Sequence, residues 1–238
     1  MGLFALFLLN VIKTAFTTKL KLKKVLTQLD EIGFNSLVIV VLTGTFTGAV
    51  LALQTYIGIR RYGGEEFIGP IVALSMAREL GPVITGLMVT GRSGSAIAAE
   101  IGTMRITEQI DALQTLRINP LQYLVIPRLL AGAFILPFLA MFAVICGIIG
   151  GYFIATSVLG LNGNQYINGI KKYLEFSDIT NGLIKSSIFG FILTWVGSFK
   201  GYFAEGGARG VGLATTQSVV MGSILLLLAN YFLTSALF

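Results

Sequence analysis

The sequence contains no histidine and a single cysteine, Cys146. Imidazole catalysis and histidine metal sites are therefore excluded, and one cysteine supports neither an intrachain disulfide nor a zinc cluster. No Gly-Lys dipeptide occurs anywhere, so the chain has no Walker A phosphate loop. The segments Gly91-Arg92-Ser93-Gly94 and Gly210-Val211-Gly212 share only glycines with such loops. If this chain depends on ATP, another polypeptide must bind it. Charge is also scarce, at 12% of residues, where a soluble domain carries about a quarter. Residues 129–170 and 210–238 contain no Asp, Glu, Lys or Arg. Both runs exceed the roughly 20 apolar residues that cross a bilayer.

What is present is apolar: 55% hydrophobic residues and a mean hydropathy of +0.84. The composition predicts an all-α integral membrane protein. Its net charge of +6 needs no nucleic-acid partner, because cytoplasmic loops of membrane proteins collect Lys and Arg. Residues 1–30, apolar and then lysine-rich, predict an N-terminal interfacial helix on the cytoplasmic face. No basic stretch precedes the apolar part, so a cleaved signal is not expected. Five spans follow, over 36–59, 67–100, 121–159, 182–199 and 213–238. With the N-terminus cytoplasmic, that face holds Lys13, Lys19, Lys21, Lys23, Lys24, Arg105, Arg117, Arg128, Lys200 and Arg209. The outer face holds Arg60, Arg61, Lys171, Lys172 and Lys185, and the bias puts the C-terminus outside.

The stretch from 78 to 111 concentrates Arg78, Glu79, Arg92, Glu100, Arg105, Glu108 and Asp111. Charges inside a span are costly and face a cavity or a partner. Arg78 and Glu79 are adjacent, so they point about 100° apart on a helix and need not pair with each other. Gly81-Pro82 predicts a kink, since proline removes a backbone donor. Gly91, Gly94, Ser95, Ala98 and Gly102 place small side chains on one broad face. Packing within the chain and a dimer contact both fit that face. Residues 102–117 are too polar to span: Ile106, Ile110 and Leu113 share one side, with Arg105, Glu108 and Asp111 roughly opposite. They predict a short surface helix that can dock in a groove of a soluble partner. No catalytic constellation and no metal site appear.

The segments Arg-Glu-Leu-Gly-Pro (78–82), Gly-Arg-Ser-Gly-Ser-Ala (91–96), residues 99–113, Pro127-Arg128 and residues 206–220 resemble the MlaE/YrbE permeases. These are membrane subunits of ABC transporters that work with MCE-domain proteins. The resemblance covers the chain from the first span onward. It implies an interfacial helix plus five spans and a homodimer in the bacterial inner membrane. It further implies ABC ATPase subunits that bind ATP and Mg, and a ring of MCE-domain subunits on the periplasmic side. The cargo would be a lipid, usually a phospholipid, in a cavity at the dimer interface. By that resemblance Arg78, Glu79, Leu80 and Pro82 belong to the lipid cavity. Glu100, Arg105, Glu108 and Asp111 belong to the coupling helix, while the spacing of Gly91, Gly94, Ala98 and Gly102 already assigns those four to helix packing. One departure is Asn230, where an acidic residue is expected in many relatives. Two other classes compete: a scaffold for MCE-type subunits without transport of its own, and an ion-driven secondary transporter. The coupling-like helix argues against the first, and few intramembrane carboxylates and no inverted repeat against the second.

Overall fold

The computed structural model describes residues 2–17 and 22–237, and every regular element among them is helical. Five of the helices are long and apolar enough to cross a membrane, over Leu22–Tyr62, Glu65–Ile106, Leu121–Val158, Phe176–Tyr202 and Gly207–Leu237. The protein is a multi-span helical membrane protein.

The N-terminal apolar helix is α1, Gly2–Thr17. Phe4 stacks on Trp195 with ring centroids 4.0 Å apart, and Phe7 is buried beside Phe199 at 5.6 Å. The expected single helix over 1–30 is corrected. Residues from Leu22 already belong to α2, Leu22–Ile59, which runs without a break into the first span. Nothing between Leu22 and Ser36 stops a helix, because Gly33 is accommodated by packing against Ile135. Lys19 and Lys21 lie outside the described residues.

The second span is three α segments, α3 (Ile68–Ser75), α4 (Gly81–Val89) and α5 (Ser95–Ile106), joined by π turns at Met76–Leu80 and Thr90–Gly94. A π turn inserts one residue into the helix and redirects the side chains around it. The expected surface helix over 102–117 is also divided. α5 continues to Ile106, Glu108 adopts a left-handed φ of 59°, and α6 covers Gln109–Thr115. Arg117, at φ 58°, ends that turn.

The third span enters through a π turn at Leu121–Val125 and continues as α7, Ile126–Phe153. In the polar connection that follows, Asn162 caps α8, Gly163–Tyr173, by accepting from the Asn164 amide. Tyr166 anchors α8 on the bundle and donates to the Ile148 carbonyl at 3.3 Å. Burial pushes its phenol above the usual tyrosine range, so it stays a donor. The fourth span, α9 (Phe176–Tyr202), starts six residues before the expected Gly182, because Glu175 and Asp178 form a capping box at its entrance. The last span, α10, covers Gly207–Leu237.

Glycine seams hold the bundle together. Gly44 and Gly48 on α2 lie against the backbone of Ala143 and Gly147 on α7, and a Cβ on Gly48 would overlap the Gly147 carbonyl. Close backbone approach maximises dispersion where lipid leaves no hydrophobic gain between helices. The outward faces of α2 and α10 carry Phe34, Phe46, Val50, Ile224, Tyr231 and Phe232, all exposed.

Candidate functional site

Pro82 has no amide hydrogen, so the Arg78 carbonyl has no α-helical donor. The π turn sends the Gly81 amide to the Met76 carbonyl instead. An unsatisfied carbonyl at membrane depth is costly, and Lys185 Nζ donates to it at 3.1 Å. Gly182, one turn before Lys185, makes this reach possible, because a Cβ there would overlap the Ala77 carbonyl oxygen. α9 therefore rests directly on the π turn.

Around this junction the charges pair across helices. Arg78 lies roughly 15 Å along the helix from Ile68. Its Nε and Nη2 both reach Asp178 Oδ1 at 2.7 Å. The Asp178 side chain is 3% exposed and the Arg78 side chain 42%. Glu79 Oε1 accepts from Lys185 Nζ at 2.8 Å and from Thr234 Oγ1 at 2.9 Å, while Oε2 accepts from Asn230 Nδ2 at 3.1 Å. Lys185 Nζ also reaches Thr234 Oγ1 at 2.9 Å, and its side chain is fully buried. Two cations and two carboxylates thus balance, and the network ties the second, fourth and fifth spans together. Arg78 and Glu79 keep part of their surface open while their ion-pair partners, Asp178 and Lys185, are buried. Such an arrangement holds charge in a membrane and still offers polar groups to a ligand.

Leu80 follows directly and lines a groove of about 320 Å³ with Phe46, Thr47, Val50, Leu51 and Gln54 of α2. Pro82 is buried and sits beside Gly182. Of the four candidate cavity residues, Arg78 and Glu79 share the polar network, Leu80 lines the apolar groove, and Pro82 shapes the backbone between them.

The candidate packing residues divide differently. Gly94 and Ala98 lie against Gly197 and Gly201 of α9, and Gly102 against Ala204 and Val211, so these three pack within the chain. Gly91 is exposed, with open space where a Cβ would stand. At the other end of the second span, Glu100 Oε1 pairs with Arg128 Nη2 at 2.6 Å, and Arg105 Nη1 with Asp111 Oδ1 at 2.8 Å. Ile110 is fully buried and pins α6 to the bundle, leaving Glu108 and Asp111 exposed. Arg92 Nη1 donates to Ser36 Oγ at 3.1 Å.

Sequence reasoning missed Asp178, Lys185, Asn230 and Thr234 as members of the network. The signal was present: a lysine and an aspartate near an apolar run. Starting the fourth span at Gly182 assigned Lys185 to the outer charges, whereas it is buried at membrane depth. Arg128, counted among the cytoplasmic charges, is likewise buried, its side chain 4% exposed.

The family model for the MlaE permease matches residues 25–236. The chain belongs to the MlaE permease family. A probable ABC transporter permease protein of Rickettsia typhi is 46% identical to this MlaE-family chain over 237 residues, covering 100% of the chain and 92% of that relative. The intermembrane phospholipid transport system permease protein MlaE of Haemophilus influenzae is 37% identical over 212 residues, 89% of the chain and 81% of the relative. The chloroplastic protein trigalactosyldiacylglycerol 1 of Arabidopsis thaliana is 37% identical over 220 residues, 92% of the chain and 63% of that protein. This member of the MlaE permease family therefore matches relatives along nearly its whole length.

Proposed function

We propose that this MlaE-family chain is the membrane subunit of an ATP-driven phospholipid transporter, working as a homodimer. The observation that carries the reading is the Arg78–Glu79 network beside the Leu80 groove. A phospholipid needs an apolar trough for its tails and a few fixed polar groups for its head; Leu80, next in the second span to Arg78 and Glu79, lines such a trough. The phospholipid transport named in the Haemophilus relative supports the same cargo. The last span is the least enclosed by the rest of the chain, and the exposed apolar faces of α2 and α10 suit a second copy.

On this reading a partner ATPase binds ATP and Mg and docks on the segment from Glu100 to Leu113; the lack of a phosphate loop in this sequence supports it. Its exposed Glu108 and Asp111, on a turn fixed by buried Ile110, suit a groove of that partner. An MCE-domain ring would receive or deliver lipid at the opposite end, with the N-terminus cytoplasmic and the C-terminus periplasmic in a bacterial inner membrane. The test is purification of the tagged chain from its native membrane, followed by reconstitution with the proteins that accompany it. ATP-dependent movement of a labelled phospholipid is expected. Co-purification without any ATPase, or lipid movement indifferent to ATP, would leave the scaffold reading in its place.

A further inference from the structure

At the end of the bundle that carries α6, α2 meets α5 and the entrance of the third span around a cavity of about 360 Å³. It shares no residue with the Arg78 network. Its wall includes Lys24, Gln28 and Glu31 of α2, Glu100 of α5, and Tyr123 and Arg128 of the third span. Arg128 donates to the Leu124 carbonyl at 2.7 Å and pairs with Glu100, yet its buried Nε has no partner among the described residues. Lys24 Nζ stands 2.7 Å over the centre of the Tyr123 ring, and Gln28 Nε2 donates to Glu31 Oε2 at 2.6 Å. The wall thus presents two cations, two carboxylates and an aromatic face already covered by an ammonium.

Glu31 lies five residues before Ser36, where the uncharged part of the first span begins, which is about 8 Å along a helix. The polar layer outside each face of the hydrocarbon is of similar thickness, roughly 5–8 Å. The cavity therefore opens at the level of lipid headgroups.

We infer that this cavity binds the headgroup of a zwitterionic phospholipid, with the phosphate toward Arg128 and Lys24 and the ammonium toward Glu31 and Glu100. A guanidinium and an ammonium suit phosphate oxygens, and carboxylates suit the headgroup ammonium. A purely anionic headgroup answers only the two cations, whereas a zwitterion matches both signs. The volume lies in the range of small-ligand sites. The site is separate from the one that carries the transport reading, and its occupancy is measured on this chain alone.

The probe is photoactivatable phosphatidylethanolamine, diluted into phosphatidylglycerol nanodiscs that hold the purified full-length chain, with cross-links mapped by mass spectrometry. Labelling is expected within residues 24–31 and 123–128, and it is displaced by unlabelled phosphatidylethanolamine. Lys24→Ala and Glu31→Gln each lower it roughly tenfold, the loss of one charge-assisted contact. Absence of labelling there, or equal labelling by photoactivatable phosphatidylglycerol, overturns the inference. Displacement by soluble phosphoethanolamine as effective as by the lipid would make this a site for a soluble ligand and overturn the lipid assignment. Loss of wild-type labelling on adding the partner ATPase would assign the cavity to a protein contact and do the same.

Discussion

Lys185 is the residue on which the membrane-depth network closes, since one ammonium serves Glu79, Thr234 and the carbonyl orphaned by Pro82. Lys185→Met should remove all three contacts and leave Glu79 without its cation. Breaking a buried pair costs about 3–5 kcal/mol, and the lower end applies because Glu79 is one-third exposed. Unfolding in mild detergent should show that loss, and Glu79→Gln combined with Lys185→Met should recover part of it. Strictly additive losses would mean that the two side chains are not coupled. Arg78 is the more open member of its pair. Arg78→Ala should lower co-purifying phospholipid without dissociating the complex, and unchanged lipid content would return Arg78 to a purely structural role.

Among the elements, the two most telling glycines behave oppositely. Gly48→Val places a side chain into the Gly147 carbonyl and should separate α2 from α7, seen as loss of monodisperse protein on size exclusion. Gly91→Ala meets open space in a helical turn and should leave the single chain as stable or up to about 1 kcal/mol more stable. If Gly91→Leu instead dissociates the proposed homodimer, a second copy packs there. On α6, Glu108→Lys with Asp111→Lys should abolish ATPase co-purification. Chain stability should change by less than about 1 kcal/mol, because the Arg105–Asp111 pair is exposed. The number of spans was legible in the sequence, since uncharged runs as long as 129–170 have no other use. The kink at Gly81-Pro82 was legible as a disturbance, but not as a π turn. The partners of Arg78 and Glu79 were not legible, because they lie about a hundred or more residues away and pairing across helices leaves no local periodicity. The break at Glu108 was hidden for another reason: a left-handed glutamate is imposed by the path to Ile110 and not by its own preference.

For the whole molecule, charge is conserved within the bilayer by helices far apart in the chain. Arg78 and Glu79 belong to the second span, and Asp178 and Lys185 to the fourth. Synthesis proceeds from the N-terminus, so the second span is made before either counterion exists. A lone charge at the centre of a span adds roughly 2.5–3.5 kcal/mol to its insertion. The second span must therefore be detained at the insertion site, or shielded by its neighbours, until about a hundred more residues have emerged. Nascent chains halted before Phe176 should leave that span extractable by alkali, and chains extended past Tyr202 should not. The same ion pairs that tie the second span to the fourth thus set the order in which the protein can be built.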